Sequence, residues 1–396
     1  MKKALCVLLA SVMCVGLLGC GKEEETTRKK IAKKTKAEEI EDDEDPDDTE
    51  DPSSAPDVKV KDGEVRIDEA HFPDEAFREY VSSEFDMDGD GVLSSEEIEE
   101  ATEVEFYGDQ NGEKIYPESL DGIEYLTELE GLYLFNCKVT SLDFSKMPKL
   151  LSLRVSNLSL GTLDISTCQT LRVVSCASCE LEEIIMDNPN LETLLCTYNN
   201  LETLDLSGAP NLTDLWCDQN PLTGLDLSGV PNLEDLSVKY CPIESLDLSP
   251  VPRLTQLSLH ENPITSIDLS ACTELVFFAC SYMGITSLDL SQNTKLEVLH
   301  CDGTEISSLD TTACTELELL NVTNSKVASL DLSQNGKLAY LDADWSEVKS
   351  LDLTHCPLLV DLVKTYEKEE IGDGRVCWTG EEAQLIINGD CELILP

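Results

Sequence analysis

One short pattern, Leu-Asp-Leu-Ser, returns every 21 residues through the central part of this chain. Its first copy begins at Leu142 and its last begins at Leu351. The copy at residues 184–187 is degenerate, and the repeat that holds it is one residue short. A unit of this size cannot bury a core by itself, so neighbouring units must stack and share one. The repeat therefore predicts a solenoid, whose long surface is suited to binding rather than to catalysis.

The apolar positions inside one repeat indicate which kind of solenoid this is. The copy from Leu212 fits the pattern L-x-x-L-x-L-x-x-N-x-L-x-x-L-x-L, which is typical of leucine-rich repeats. The alternation at residues 215–217 predicts a short strand of a parallel concave sheet, and that at 225–227 predicts a short convex strand or turn. We therefore predict a mainly parallel β solenoid over residues 105–365.

The N-terminus has the features of an export signal. A basic start, Met1-Lys2-Lys3, precedes an apolar stretch over 4–18 that is too short to span a bilayer comfortably. The following Leu17-Leu18-Gly19-Cys20 resembles the bacterial lipoprotein signal box, in which cleavage leaves a lipid-modified Cys as the new N-terminus. We predict a signal peptide over 1–19 and lipidation at Cys20. The alternative is an ordinary secretory signal followed by an unrelated Cys.

Charge dominates the segment that follows and the chain as a whole. Residues 38–57 contain twelve acidic residues and no basic ones, so residues 20–62 are predicted to form a disordered, charged tether. The whole chain carries a formal net charge of −51, which argues against nucleic acid and anionic lipid as partners of the folded part. A cationic partner, metal ions or solubility alone would each fit this charge.

A calcium-binding pattern lies immediately before the repeats. Residues 86–97 match the twelve-residue loop of an EF-hand, in which hard Ca²⁺ is held by six to eight oxygen atoms. Residues 63–104 are therefore predicted to form a small α-helical EF-hand cap with one structural calcium ion. The alternative is a degenerate loop that is retained for its shape. The predicted ligands are Asp86, Asp88, Asp90, Val92, Ser94 and Glu97.

The 17 cysteines fall mostly on fixed positions of the repeat. The inward position that Val238, Leu259 and Val322 fill in some repeats is occupied by cysteine in others. A residue that exchanges with Val and Leu acts as a small hydrophobe, so we predict a ladder of free, buried thiols. These cysteines are Cys176, Cys196, Cys217, Cys280 and Cys301.

The tail over 366–396 breaks the period and is predicted to form a C-terminal cap. The Asn388-Gly389 pair in it suggests a hairpin with a tight turn. Cys377 and Cys391 also lie in this cap, and a disulfide between them is left open.

This combination of features has a known counterpart. The 21-residue repeat with an inward Cys resembles the internalin-type surface proteins of Gram-positive bacteria, in particular the cysteine-ladder internalins. Residues 70–97, followed by 119–126, are similar to secreted leucine-rich-repeat proteins of gut Firmicutes. The resemblance spans about residues 65–365 and implies display at the cell surface and recognition of a protein or a host surface. With the predicted lipid, the expected location is the extracellular face of a bacterial cell membrane.

Aromatic residues supply the candidate contacts with a partner. Exposed aromatic side chains in a row are typical of binding faces. The alternative is that they shield neighbouring loops. The candidates are Tyr198, Trp216, Tyr240, Tyr282 and Trp345.

The sequence contains no recognisable set of nucleophile, base and acid, so no enzyme is expected. The predicted function is a membrane-anchored binding protein for a protein or glycan. The alternative is a calcium-stabilised spacer without a dedicated ligand.

The recurring Asp of each repeat is predicted to lie on the convex side, where the stack would place like charges next to one another. Two interpretations fit. Each Asp accepts hydrogen bonds from local amides and from hydroxyls such as Ser245 or Ser266, or the row forms weak cation sites.

Overall fold

The computed structural model describes residues 60–108 and 116–396. The predicted signal peptide, Cys20 and nearly all of the tether lie outside these residues. The helices are α1 (Glu75–Glu84), α2 (Ser95–Glu100) and α3 (Pro357–Thr365), with short 3-10 helices at Ile123–Tyr125 and Phe144–Lys146. The strands are β1 (Val65–Arg66), β2 (Val92–Leu93), β3 (Glu103–Tyr107), β4 (Gly131–Phe135), β5 (Ser152–Ser156), β6 (Thr162–Asp164), β7 (Val173–Ala177), β8 (Glu183–Ile185), β9 (Thr193–Leu195), β10 (Asp214–Trp216), β11 (Asp235–Ser237), β12 (Gln256–Ser258), β13 (Phe277–Ala279), β14 (Val298–His300), β15 (Leu319–Asn321), β16 (Tyr340–Ala343), β17 (Ser350–Asp352), β18 (Glu369–Gly372), β19 (Arg375–Thr379), β20 (Gln384–Asn388) and β21 (Glu392–Ile394).

A single 15-stranded sheet forms the concave side. Each repeat contributes one strand, and neighbouring strands pair in parallel with the same repeat position opposite itself. For example, Leu215 pairs with Leu194 on one side and Leu236 on the other. All three side chains are fully buried and form part of one continuous core. The predicted leucine-rich-repeat solenoid is confirmed, and its repeated positions line up in columns along the stack.

Buried Asn side chains hold the turns that follow the strands. Asn220 Nδ2 donates to the carbonyl oxygen of Cys217 in its own turn and to that of Cys196 in the previous turn, both at 3.0 Å. Cys241 occupies the same position one repeat later, and its thiol lies 3.6 Å from the Cys217 carbonyl oxygen. One side chain at this position therefore links two turns, with cysteine as a weaker substitute for asparagine.

The inward cysteines are free and fully buried. Burial raises the pKa of Cys176, Cys217 and Cys280 well above the usual value for a thiol. A thiolate is therefore not formed at neutral pH, and these residues are chemically inert hydrophobes in the folded protein. Cys377 and Cys391 are free as well.

The convex Asp residues bond to the backbone of their own turn. Asp226 Oδ1 accepts a hydrogen bond from the Ser228 amide at 2.9 Å. This bond, together with that from the Ser228 side chain, lowers the pKa of Asp226. The local amide donors expected from the sequence are confirmed, and each belongs to the residue two positions after the Asp rather than to Ser245 or Ser266. The same bond recurs at Asp143, Asp164, Asp205, Asp247, Asp268, Asp289, Asp310, Asp331 and Asp352.

Convex strands are formed at only two places within the described residues. β6 pairs with β8, and β17 pairs with β21. Elsewhere the convex segments are turns, which is the second of the two forms predicted for them.

The segment before the repeats is a helix–loop–helix unit. Asp74 begins α1 by accepting a hydrogen bond from the Phe77 amide, and a reciprocal capping box between Ser94 and Glu97 begins α2. Phe77 is fully buried, and its ring lies 6.3 Å from that of Phe106 in β3. The unit therefore packs on the first strand of the sheet and covers the end of the core.

The C-terminal tail differs from its prediction. No hairpin forms at Asn388-Gly389, because the two strands on either side of that turn pair elsewhere. β20 adds to the concave sheet beside β16, and β21 pairs in parallel with β17. The tail thus contributes one more turn of the solenoid, while its antiparallel pairs are β18–β19 and β19–β20. Within the described residues, no helix has the length and apolar character needed to cross a membrane.

The cysteine ladder makes a testable prediction about stability. Cys217→Val should change the free energy of unfolding by less than about 1.5 kcal/mol, because Val238 fills the same buried position one repeat later. Cys217→Ser should cost about 1–3 kcal/mol, because it buries a hydroxyl at a site built for an apolar group. Urea unfolding of the two variants measures both. Equal losses would contradict the assignment of Cys217 as a hydrophobe.

Candidate functional site

The concave sheet presents two columns of outward side chains along the strands from β10 to β16. The first column is Asp214, Asp235, Gln256, Phe277, Val298, Leu319 and Tyr340, and the second is Trp216, Ser237, Ser258, Ala279, His300, Asn321 and Asp342. Phe277, Val298 and Leu319 are each only 6% exposed although they face away from the core. The floor of the concave face is therefore closely packed and apolar in its middle part.

Charged side chains are buried beside these columns. Asp218 is 8% exposed and accepts hydrogen bonds from the Ser237 hydroxyl at 2.7 Å and the Lys239 amide at 2.8 Å. Its second oxygen lies 3.2 Å from Lys239 Nζ. Asp344 is 3% exposed and pairs with Arg375 of β19 at 2.9 Å. Sequence reasoning did not foresee these buried ion pairs.

Two carboxyl groups of the concave face have unusual acidities. Burial raises the pKa of Asp235 to about 6, and the nearby charges of Asp214 and Asp218 add to this effect. Burial also raises the pKa of Asp342 to about 6, with a further contribution from the charge of Asp344. These two groups lie five strands apart, on β11 and β16.

The two histidines of the concave face are held neutral. Burial lowers the pKa of His260 to about 4, and the neighbouring His300 and Lys239 lower it further. Burial also lowers the pKa of His300, whose ring lies 5.9 Å from that of Phe277. Neither side chain adds positive charge to this face at neutral pH.

Four of the five predicted contact residues share one column at the end of the concave strands. Tyr198, Tyr240, Tyr282 and Trp345 all have left-handed backbone conformations, with φ between 53° and 58°. Their side chains are 38%, 45%, 59% and 54% exposed, respectively. The column, which we call the left-handed column, comprises Asn136, Asn157, Ser178, Tyr198, Gln219, Tyr240, Glu261, Tyr282, Gly303, Asn324 and Trp345.

The aromatic members of this column stand where smaller residues would be favoured. A left-handed backbone suits Gly and Asn, and for a bulky residue the strain is of order 1–3 kcal/mol. The sequence carried a signal of this conformation, since Asn136, Asn157 and Asn324 occupy the same position. Because the exposed aromatic side chains of this column add strain, their contribution to stability does not explain their presence.

Two of these aromatic residues also contact their neighbours. The ring of Tyr282 fills the space beside Gly303 on the next turn, where an added Cβ would lie 2.5 Å from Tyr282 Cδ1. The guanidinium of Arg375 lies over the Trp345 ring, 5.6 Å from its centroid. The shielding interpretation therefore holds in part for these two, although more than half of each side chain remains exposed.

Trp216, the fifth predicted contact residue, lies in the second strand column and not with the other four. It is half-buried and faces Asp235 on the neighbouring strand. It is therefore part of the floor of the concave face, while the left-handed column forms one edge of it.

The predicted calcium ligands are brought together in part. Oxygens of Asp86, Asp88 and Glu97 lie within 4.8 Å of one another. Asp90 is not in this group, and its Oδ1 accepts a hydrogen bond from the Val92 amide at 2.8 Å. Ser94 donates from both its amide and its hydroxyl to Glu97 Oε2, each at 2.8 Å.

Glu97 is held as a carboxylate. Burial, which alone would raise the pKa of Glu97, is outweighed by hydrogen bonds from Ser94 and Met87, so the pKa lies below its usual value. Such an arrangement supplies hard oxygen ligands of the kind that Ca²⁺ prefers.

A separate groove of about 740 Å³ lies on the flank of the stack. Ion pairs between neighbouring turns cross it, including Arg172 with Glu192 and Arg253 with Glu234. Its charged groups are already paired with each other, so the concave face is the stronger candidate.

Solved structures of other proteins share this fold. The functional domain of InlJ from Listeria monocytogenes, described as including a cysteine ladder, is 26% identical with a TM-score of 0.56, over 79% of this chain and 84% of that one. The internalin InlF of the same organism is 22% identical with a TM-score of 0.59, over 75% and 88%. A leucine-rich-repeat protein of Leptospira interrogans is 18% identical with a TM-score of 0.50, over 65% and 85%.

The chain is therefore a leucine-rich-repeat solenoid similar to the internalins. No protein-family model matches it, and no curated protein matches its sequence.

The buried His260 makes a prediction about pH. The pKa of His260 is about 4 in the folded protein against a usual value of 6.5. Between these two pH values the side chain is therefore protonated in the unfolded chain and neutral in the folded protein. Stability is therefore lost as the pH falls from 6.5 towards 4. His260→Gln should remove this loss and gain about 1–3 kcal/mol relative to the unmutated chain between pH 7.5 and 4.5.

Urea unfolding at the two pH values measures this difference. The control is His355→Gln, which removes an exposed histidine elsewhere and should retain the loss of stability that His260 causes. The assignment is wrong if His260→Gln and the unmutated chain lose stability in parallel.

Proposed function

We propose that this protein is a lipid-anchored, extracellular leucine-rich-repeat protein that binds a partner protein through its concave face and left-handed column. One observation carries the proposal: exposed aromatic side chains occupy strained positions that Asn fills in other repeats. The fold uses the left-handed conformation at every position of the column but does not require an aromatic side chain there. The aromatic residues at these strained positions therefore favour a functional role. The similarity to internalins supports recognition of a protein, and a glycan is the other ligand class to be tested.

The geometry of the column suits a partner with an extended surface. Tyr198, Tyr240 and Tyr282 recur on every second turn, so neighbouring Tyr residues lie roughly 10 Å apart at the usual spacing between strands. Aromatic side chains supply large contact areas and are enriched among residues that dominate binding energy. The three residues would engage one partner at three evenly spaced points.

Membrane attachment is the second part of the proposal. It rests on the apolar stretch over 4–18 and on Cys20, together with the charged segment that would hold the solenoid away from the lipid surface. The expected location is the extracellular face of a bacterial membrane.

Calcium is the third part of the proposal. Asp86, Asp88 and Glu97 would supply carboxylate ligands, with Asp90, the Val92 carbonyl and Ser94 completing the shell. Because the loop belongs to the unit that covers the first strand, the ion would stabilise the N-terminal end of the core. Its role would be structural.

The aromatic residues yield a prediction that separates binding from folding. Combined replacement of Tyr198, Tyr240 and Tyr282 by Asn should leave the free energy of unfolding unchanged or slightly raised, because Asn accepts the left-handed conformation more easily. Capture of proteins from a cell-surface extract, and binding to a glycan array, should fall at least about tenfold, the equivalent of ~1.4 kcal/mol.

The matched control is Tyr366→Asn, which removes an exposed Tyr outside the column. It should bind as the unmutated chain does. If the triple variant retains full binding, the column is not the contact surface. If neither chain captures any ligand, the alternative of a spacer is favoured.

The calcium loop is tested by thermal unfolding. With an affinity on the order of 10⁻⁴–10⁻³ M, 10 mM Ca²⁺ should stabilise the chain by roughly 1.4–2.7 kcal/mol and raise its melting temperature. Glu97→Gln should abolish the shift, while Glu96→Gln, an exposed neighbour, should preserve it. An unchanged melting temperature of the unmutated chain in Ca²⁺ would remove calcium from the proposal.

A further inference from the structure

Polar atoms without hydrogen-bond partners cluster at one end of the concave face. Six buried side-chain atoms of the described residues have no geometrically ideal hydrogen-bond partner, and three of them, His300 Nε2, Thr323 Oγ1 and Asp344 Oδ1, lie at this end. The Thr323 hydroxyl is nonetheless close enough to Asp342 to lower the pKa of that carboxyl. The three atoms belong to three successive turns, whose strands β14, β15 and β16 pair in register. Buried polar groups are normally paired, so several unpaired ones in adjacent turns indicate a place where a ligand supplies the missing bonds.

The same turns carry more negative than positive charge. Asp342 and Asp344 lie beside each other in one turn, and Asp302 belongs to the turn two before it. Arg375, paired with Asp344 Oδ2 at 2.9 Å, is the basic side chain beside Asp342 and Asp344. His300 does not compensate, because burial keeps it neutral. A partly buried group of carboxylates favours a ligand of positive charge.

Hydrogen bonds fix the positions of these carboxylates. Asp302 Oδ1 accepts from the Ser281 hydroxyl at 2.6 Å and from Asn321 Nδ2 at 3.2 Å. Asp342 Oδ1 accepts from the Asp344 amide at 3.2 Å. The groups are therefore oriented before any ligand arrives, which reduces the entropy lost on binding.

An apolar strip runs alongside the charged group. Val298, Leu319 and Tyr340 form the adjacent column on the same three strands, two residues before His300, Asn321 and Asp342. A charged head beside an apolar strip matches the side chains of lysine and arginine, which combine a cationic end with an aliphatic stem.

We propose that this region, the C-terminal subsite, binds a lysine or arginine side chain of the partner protein. The subsite comprises His300, Asp302, Asn321, Thr323, Asp342 and Asp344. The aliphatic stem lies on the half-buried Tyr340, and the cationic head is held between Asp302 and Asp342. The subsite deepens the proposed function and rests on it, since it names the chemistry of the partner at this face.

A metal ion fits this region less well. Within 60–108 and 116–396, the group of three or more ligating side chains close enough for a metal is the one at Asp86, Asp88 and Glu97. The carboxylates of the C-terminal subsite are spread over three turns, a separation suited to the several N–H donors of a larger cation.

The experiment titrates the full chain with small probes of defined charge. Nα-acetyl-arginine methylamide and Nα-acetyl-lysine methylamide carry the cation, and Nα-acetyl-citrulline methylamide is the neutral analogue of nearly the same shape. Binding is followed by the NMR signal of the His300 ring, which can be assigned because the chain has only four histidines. At least one cationic probe should shift this signal saturably, with a dissociation constant of roughly 1–10 mM.

The matched variants are Asp342→Asn and Asp235→Asn. Each removes one partly buried carboxyl whose pKa is raised to about 6, while preserving its shape, and the two sites lie five strands apart. Asp342→Asn should weaken binding of the cationic probe at least about tenfold, and Asp235→Asn should leave it unchanged. Unaltered urea midpoints for both variants would show that folding is intact.

The possible outcomes separate the subsite from the proposed function. Equal shifts with the citrulline probe, no saturable shift with either cation, or equal losses in both variants would each overturn the subsite. A saturable His300 shift with calcium chloride alone would assign a metal site in its place. If the surface partner is captured but the cationic probes do not bind, the function stands and the subsite fails. If the probes bind and no partner is captured, the subsite stands and the proposed function fails.

Discussion

The parallel, in-register pairing of the concave strands is the constraint on which the rest of the molecule depends. Because Leu215 lies between Leu194 and Leu236, every repeat position lies beside its own copy in the next turn. A residue type that recurs at one repeat position therefore contacts its own copies along the whole stack. Apolar side chains gain from this arrangement, while charged side chains need a local partner.

The convex and concave sides meet this requirement in different ways. On the convex side each Asp bonds to the backbone of its own turn, as Asp226 does with Ser228, so the column needs no counter-ions from other turns. On the concave side the charges are not repeated, and Asp218 and Asp344 are paired one at a time with Lys239 and Arg375. The charges that recur in every repeat lie on the convex side, where they stabilise the turns. The charges that vary between repeats lie on the concave side, which is suited to recognition.

The sequence predicted the features of the fold that depend on the 21-residue period. The Leu core, the solenoid, and the exchange of Cys217 with Val238 follow from apolar residues that recur at fixed spacing. The period could not predict features made by residues far apart in sequence. The pair between Arg375 and Asp344 joins the tail to the stack, and the tail supplies a further turn although its sequence has lost the repeat. The left-handed backbone at Tyr240 was visible only indirectly, through Asn residues at the same position in other repeats.

The local bonding of the convex Asp has a consequence for how such a protein can change over evolution. Since each Asp bonds within its own turn, a whole 21-residue unit can be duplicated or lost without leaving an unpaired Asp on the convex side of its neighbours. Each such event would shift the residues on either side by about 4.8 Å along the stack and leave their facing direction unchanged. Tyr282 and Trp345, three units apart, could be moved closer or farther by gene duplication or deletion alone. The repeat thus allows the spacing between contact residues to change in fixed steps until it matches a new partner surface.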